Sequence, residues 1–202
     1  MLFRSQGHRP SLLSLNVSAV RDAAESVWQD AILPTLCDYV RIPAVSAAYD
    51  RSWRENGHIQ EAAEMLRDWC TQRPVAGMKV ELITHESLSP LLLIEIDPTE
   101  PGNTDTVLLY GHLDKQPDME GWRAPYAPWS PVIDNGRLYG RGGADDGYAV
   151  FAALTAVELA QRDGRPHARC VILIEASEES GSVDLPAWMD IVAGRKIGRA
   201  HV

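Results

Sequence analysis

A chain of 202 residues, 45% hydrophobic and 23% charged, can bury one substantial core, which argues against a disordered, collagenous or disulfide-stapled protein. Its formal net charge of -9 argues against a nucleic-acid partner, because phosphate binding needs clustered Lys and Arg. Cys37, Cys70 and Cys170 are too scattered for a zinc finger or a disulfide framework and fit a reducing, cytoplasmic setting. No apolar run reaches membrane-spanning length, and Leu12-Leu13-Ser14-Leu15 is too short for a signal-peptide core, so no membrane partner is expected.

Residues 1–17 read as a loose lead-in. From Ser18, an N-cap candidate, Val20, Ala23, Val27, Ile32, Leu36 and Val40 trace an amphipathic helix that Pro34 kinks or divides. A second helix covers about Gly57 to Cys70. Strands follow at Met78–Thr84, Leu91–Ile96 and Thr106–Tyr110, and Asp134-Asn135-Gly136 marks a hairpin between 131–133 and 137–139. A helix is predicted over Asp146–Arg162. The apolar run Cys170–Ile174 suits a central strand covered on both faces, with Cys170 in the core. Strands separated by helices predict an α/β domain with a mixed, partly parallel sheet and helices on both faces. Ligands of such sheets gather beyond the carboxyl ends of the strands.

Three polar clusters follow strands. In Gly111-His112-Leu113-Asp114, a His and an Asp two residues apart leave a strand end, where a carboxylate can fix the tautomer of a metal-bound imidazole. A surface turn explains such a pair more often when it stands alone. Gly140-Arg141-Gly142-Gly143-Ala144-Asp145-Asp146-Gly147 lacks the lysine and the spacing of phosphate-binding loops, and instead delivers two carboxylates on a permissive backbone. Asp146 fits a helix N-cap, which leaves Asp145 without a local structural role and free to bind a cation. Glu178 and Glu179 follow the most apolar strand and would repel one another unless a cation or a shared proton relieved them. One His with several carboxylates suits zinc, with manganese or cobalt able to substitute.

These motifs, Gly111-His112-Leu113-Asp114, Gly140-Arg141-Gly142 with Asp145-Asp146-Gly147, and Glu178-Glu179-Ser180-Gly181-Ser182, closely resemble those of one zinc peptidase family. It contains carnosinase, acetylornithine deacetylase, succinyl-diaminopimelate desuccinylase, aminoacylase and carboxypeptidase G. Arg41-Ile42-Pro43-Ala44-Val45-Ser46 is also similar to a stretch of that family, and the resemblance runs from about Asp30 to Ala193. It implies a site for two Zn2+, with His112 and Glu179 each on one ion, Asp145 bridging them, and an Asp145-Asp146 peptide that is often cis. It further implies that Asp114 orients His112 and that Glu178 is the general base. The implied reaction is hydrolysis of a dipeptide or of an N-acyl amino acid, and the choice stays open; a non-catalytic relative is the third reading. His58 and the Trp- and Pro-rich segment 115–130 look most like the carnosinase-like dipeptidase branch, with Trp122 and Trp129 walling the cleft or simply packing the loop.

Members of that family are about twice as long and carry a further acidic ligand, a final His and a lid domain through which they form homodimers. None of these is matched here; His201 lacks the expected surroundings. Residues 18–195 therefore read as the N-terminal part of a metallopeptidase catalytic domain. Residues 196–202 read as a non-native tail, because Ile197-Gly198-Arg199-Ala200-His201-Val202 is similar to a translated sequencing-adapter frame. The fragment itself is expected to be inactive and poorly stable.

Overall fold

The computed structural model describes residues 16–195. The first fifteen residues of the anticipated lead-in and the tail 196–202 lie outside this range. Asn16, not Ser18, caps the first helix: its side chain accepts from the Ala19 amide at 3.1 Å, and α1 spans Val17–Val27. The helical path then widens into a π-helical stretch, Trp28–Ile32, before α2 (Leu33–Arg41). Pro34 is the reason: it has no amide N–H for the ladder, and the Leu33 amide bonds five residues back to the Trp28 carbonyl.

A short α3 (Trp53–Asn56) precedes α4 (His58–Thr71), and β1 (Met78–Ile83), β2 (Leu91–Ile96) and β3 (Thr106–His112) follow. The hairpin β4 (Val132–Asp134) and β5 (Arg137–Tyr139) turns through Asn135 and Gly136, both at positive φ, as the sequence predicts. The described residues continue with α5 (Ala149–Arg162), β6 (Arg169–Glu175) and α6 (Leu185–Val192), and end in a 3-10 turn, Ala193–Arg195. The sequence reading missed α6. Its eight residues are too few for a clear period, and Pro186 falls in its first turn.

The main sheet runs β1-β2-β6-β3, antiparallel except where β3 lies parallel to β6. It is mixed and partly parallel, as expected. Alternation along each strand sorts the side chains to two faces. Leu92, Ile94, Ile172 and Ile174 pack beneath α2, α4 and α5, whereas Leu91, Leu93, Val171 and Leu173 meet Trp188 and Val192 of α6. Helices thus cover both faces, and Cys170 sits in the larger core. All three cysteines are free. No helix among the described residues is long and apolar enough to cross a membrane.

The parallel pairing positions the site. It sets His112 opposite Glu175 at the carboxyl ends of β3 and β6, so the turns leaving both strands emerge side by side.

Candidate metal-binding active site

His112 ends β3 and is 5% exposed. Its Nδ1 lies 3.1 Å from the Asp114 carbonyl oxygen and 3.5 Å from the Asp114 carboxylate. Its Nε2 faces outward, 3.2 Å from Asp145 Oδ1 and 3.6 Å from Glu178 Oε2. Burial lowers the pKa of this imidazole, but Asp114 and then Glu178 outweigh it, and the net result is a rise to about 9.

Asp114 is fully buried and does more than face the imidazole. Its two carboxylate oxygens accept from the backbone amides of Glu178 and Glu179 at 3.1 and 3.0 Å. One carboxylate thus joins the turn after β3 to the turn after β6. Glu178 and Glu179 begin a short 3-10 turn, Glu178–Ser180, and Glu179 Oε2 accepts from Gln116 Nε2 at 2.6 Å. Burial raises the pKa of Glu178; His112 opposes this, and Glu179, Asp114 and Asp145 reinforce it.

Asp145 and Asp146 arrive differently. The strand before them, β5, belongs to the separate hairpin, so only two of the three clusters leave the main sheet. Helix α5 starts at Ala149, and Asp146 is not its N-cap. The Asp146 side chain instead accepts from the His112 amide at 3.3 Å. This approach requires Gly111: a Cβ there would lie 2.6 Å from the Ala149 Cβ and 2.8 Å from Asp146 Oδ2. The Asp145-Asp146 peptide is cis.

Several side chains that build the site escaped the sequence reading. Lys115 is fully buried, and its ammonium donates to the carbonyls of Tyr39 and Ile42, each at 2.7 Å. It also lies over the Tyr39 ring, 3.9 Å from the centroid, while the Tyr39 hydroxyl donates to the Leu113 carbonyl at 2.8 Å. Burial alone pushes Lys115 down to about 7. Gly142 packs on its stem, where a Cβ would come within 2.6 Å of Cε. No local pattern announces a lysine destined for burial. Of the two aromatic residues considered for the cleft wall, Trp122 donates to the Asp118 carbonyl within its own loop, and Trp129 faces Lys115.

His112, Glu178 and Glu179 can each offer a donor atom within 4.8 Å of the others, and Asp145 Oδ1 lies 3.2 Å from His112 Nε2. The tightest trio therefore contains Glu178, to which the sequence reading assigned a base role, in place of Asp145, whose side chain is 77% exposed. One imidazole nitrogen among closely set carboxylates is a donor set that a divalent cation fits, and such a cation would relieve the repulsion among the acids.

An α/β sheet with acidic and histidine side chains gathered at the ends of two parallel strands is the class of arrangement that a divalent-metal site needs. The model of peptidase family M20/M25/M40 matches residues 108–201 of the chain. The chain is 36% identical over 104 residues to Beta-Ala-His dipeptidase of Mus musculus, which covers 48% of this chain and 20% of that protein. It is 37% identical over 83 residues to succinyl-diaminopimelate desuccinylase of Methylobacillus flagellatus, covering 40% and 22% respectively. Among solved structures, the di-peptidase Dug1p of Saccharomyces cerevisiae superposes with a TM-score of 0.69 at 26% identity, over 89% of this chain and 38% of that one. Human carnosine dipeptidase 1 gives 0.66 at 26% identity, over 92% and 39%. The M20 family metallo-carboxypeptidase Sso-CP2 of Sulfolobus solfataricus gives 0.65 at 27% identity, over 82% and 35%. The chain thus spans about a fifth of the curated relatives' length and under two fifths of the solved chains. Similarity to this family, and to a metallo-carboxypeptidase within it, implies use of a divalent metal.

Proposed function

We propose that the chain is part of the catalytic domain of a cytoplasmic hydrolase that cleaves the amide bond of a dipeptide with the help of two zinc ions. The convergence of His112, Glu178 and Glu179 at the carboxyl ends of β3 and β6 carries this reading. His112, Asp145 and Glu179 would hold the metal, and a pair of zinc ions there would lower the pKa of water and polarise the scissile carbonyl. Asp114 keeps the imidazole oriented, with Nε2 turned toward the carboxylates. Glu178 is the general base: it takes a proton from the attacking water and passes it to the departing amine. Its raised pKa suits a group that must both accept and return a proton near neutrality. The free cysteines support a reducing compartment. Homodimerisation of the intact protein belongs to the same proposal, as does inactivity of the 202-residue chain by itself.

The desuccinylase similarity supports a second reading, hydrolysis of an N-acyl amino acid at the same residues. Assaying the intact protein with zinc or manganese against β-alanyl-histidine and N-succinyl-diaminopimelate separates the two. The dipeptide reading expects the first to be cleaved faster, and preference for the succinyl substrate overturns it. Glu178→Gln should lower kcat by at least 100-fold while metal content is retained; near-normal turnover removes Glu178 from its role.

A further inference from the structure

We infer that Glu175 is a positioning residue for the Glu178–Glu179 turn, acting through a set of hydroxyl groups; the inference rests on the metal-site reading above. Glu175 ends β6, is 1% exposed, and has no place among the proposed ligands or acids. A buried carboxylate persists only where donors replace its water. Here all the donors are hydroxyls. Ser182 Oγ donates to Oε1 at 2.8 Å, Ser177 Oγ donates to Oε2 at 2.9 Å, and the Tyr110 hydroxyl donates to Oε1 from the neighbouring strand.

Ser177 and Ser182 flank the Glu178–Glu179 pair, so one carboxylate grips both ends of the turn that presents it. The backbone tightens the same loop: the Ser182 amide donates to the Ser177 carbonyl at 2.8 Å. Ser182 is held at φ 53, in the left-handed region that residues with a Cβ seldom occupy. Its two anchors, this amide and the bond to Glu175, hold it in that conformation. Asp114 grips the turn from the opposite side through the Glu178 and Glu179 amides. The two glutamates are thus fixed between two buried acids, one on each strand-end turn. Serine at 177 and 182 serves this arrangement because a hydroxyl both donates to Glu175 and accepts from the backbone, as Ser177 does from the Asp184 amide at 3.3 Å.

Glu175→Leu removes the acceptor at similar volume, and Glu175→Gln keeps one oxygen for Tyr110 and Ser182 and can donate to Ser177. Amide hydrogen exchange on the intact protein, with no metal added, provides a readout that needs no metal. In Glu175→Leu, the Glu178 and Glu179 amides should exchange at least 10-fold faster, with β2 and central β6 amides unchanged; in Glu175→Gln they should stay within about 3-fold. Zinc affinity of the intact protein, measured with Zn2+ alone, should fall at least 10-fold in the Leu variant and little in the Gln variant. Should Glu175→Leu not fold, Ser177→Ala combined with Ser182→Ala should loosen the same two amides. The inference is overturned if those amides keep their protection, or if turn and core amides accelerate together. Absence of zinc binding by the unmodified intact protein would overturn the metal-site reading instead, and exchange would still decide the role of Glu175.

Discussion

Two regions bring acids to His112, and they are built on opposite terms. The turns after β3 and β6 are locked by buried groups, Asp114 and Glu175, and by the register that sets His112 beside Glu175. The loop carrying Asp145 leaves a detached hairpin, presents an exposed carboxylate, and touches the sheet through Asp146 and the space left by Gly111. The comparison teaches that positions at the sheet end couple stability to site geometry, whereas Asp145 is free to serve the site alone.

The largest effect should come from breaking the locked side. Asp114→Ala strands the Glu178 and Glu179 amides and should cost roughly 1–3 kcal/mol per lost acceptor, read as a lower urea midpoint together with lost zinc affinity. Gly111→Val joins the two regions by disrupting both. Overpacking against Ala149 and Asp146 should cost about 1–3 kcal/mol in the same denaturation experiment.

Lys115→Met sharpens the comparison through pH. With its folded pKa near 7, below the unfolded value of about 10.4, Lys115 binds fewer protons folded than unfolded. Stability should therefore rise as pH climbs from about 7 to about 10, and this slope should vanish in the Met variant.

Asp145→Asn is the opposite case. Stability should change by less than about 0.5 kcal/mol, as for most exposed positions, while zinc affinity drops. A comparable loss of stability there would erase the distinction between the two regions. The smallest effect is remote from both. Glu81 is held down to about 2, chiefly by its hydrogen bond with Arg195. Its contribution is present above the unfolded value of about 4.3 and is lost as pH falls through about 2. Glu81→Gln should flatten acid unfolding slightly in that window.

Much of the locked region was legible in the sequence because it rests on local chemistry. The apolar run 170–174 ending in acids, and His112 and Asp114 leaving a strand, pointed to one crevice before any strand order was known. The Asn135-Gly136 turn likewise needs only two residues at positive φ. What stayed hidden depends on distance. Lys115 meets Tyr39 and Ile42 across more than seventy residues, and Glu175 finds Tyr110 only because β3 and β6 pair in parallel. Asp146 looked like a helix cap because local sequence cannot show that the His112 amide competes for its carboxylate. The detachment of β4 and β5 from the main sheet was equally invisible, since hairpin signals fix a turn but not its neighbours.

Zinc-edge anomalous diffraction from zinc-soaked crystals tests the central claim most directly. The account predicts density bounded by the imidazole of His112 and the carboxylates of Asp145 and Glu179. Strong anomalous peaks confined to other surfaces, with that crevice empty at saturating zinc, would contradict it.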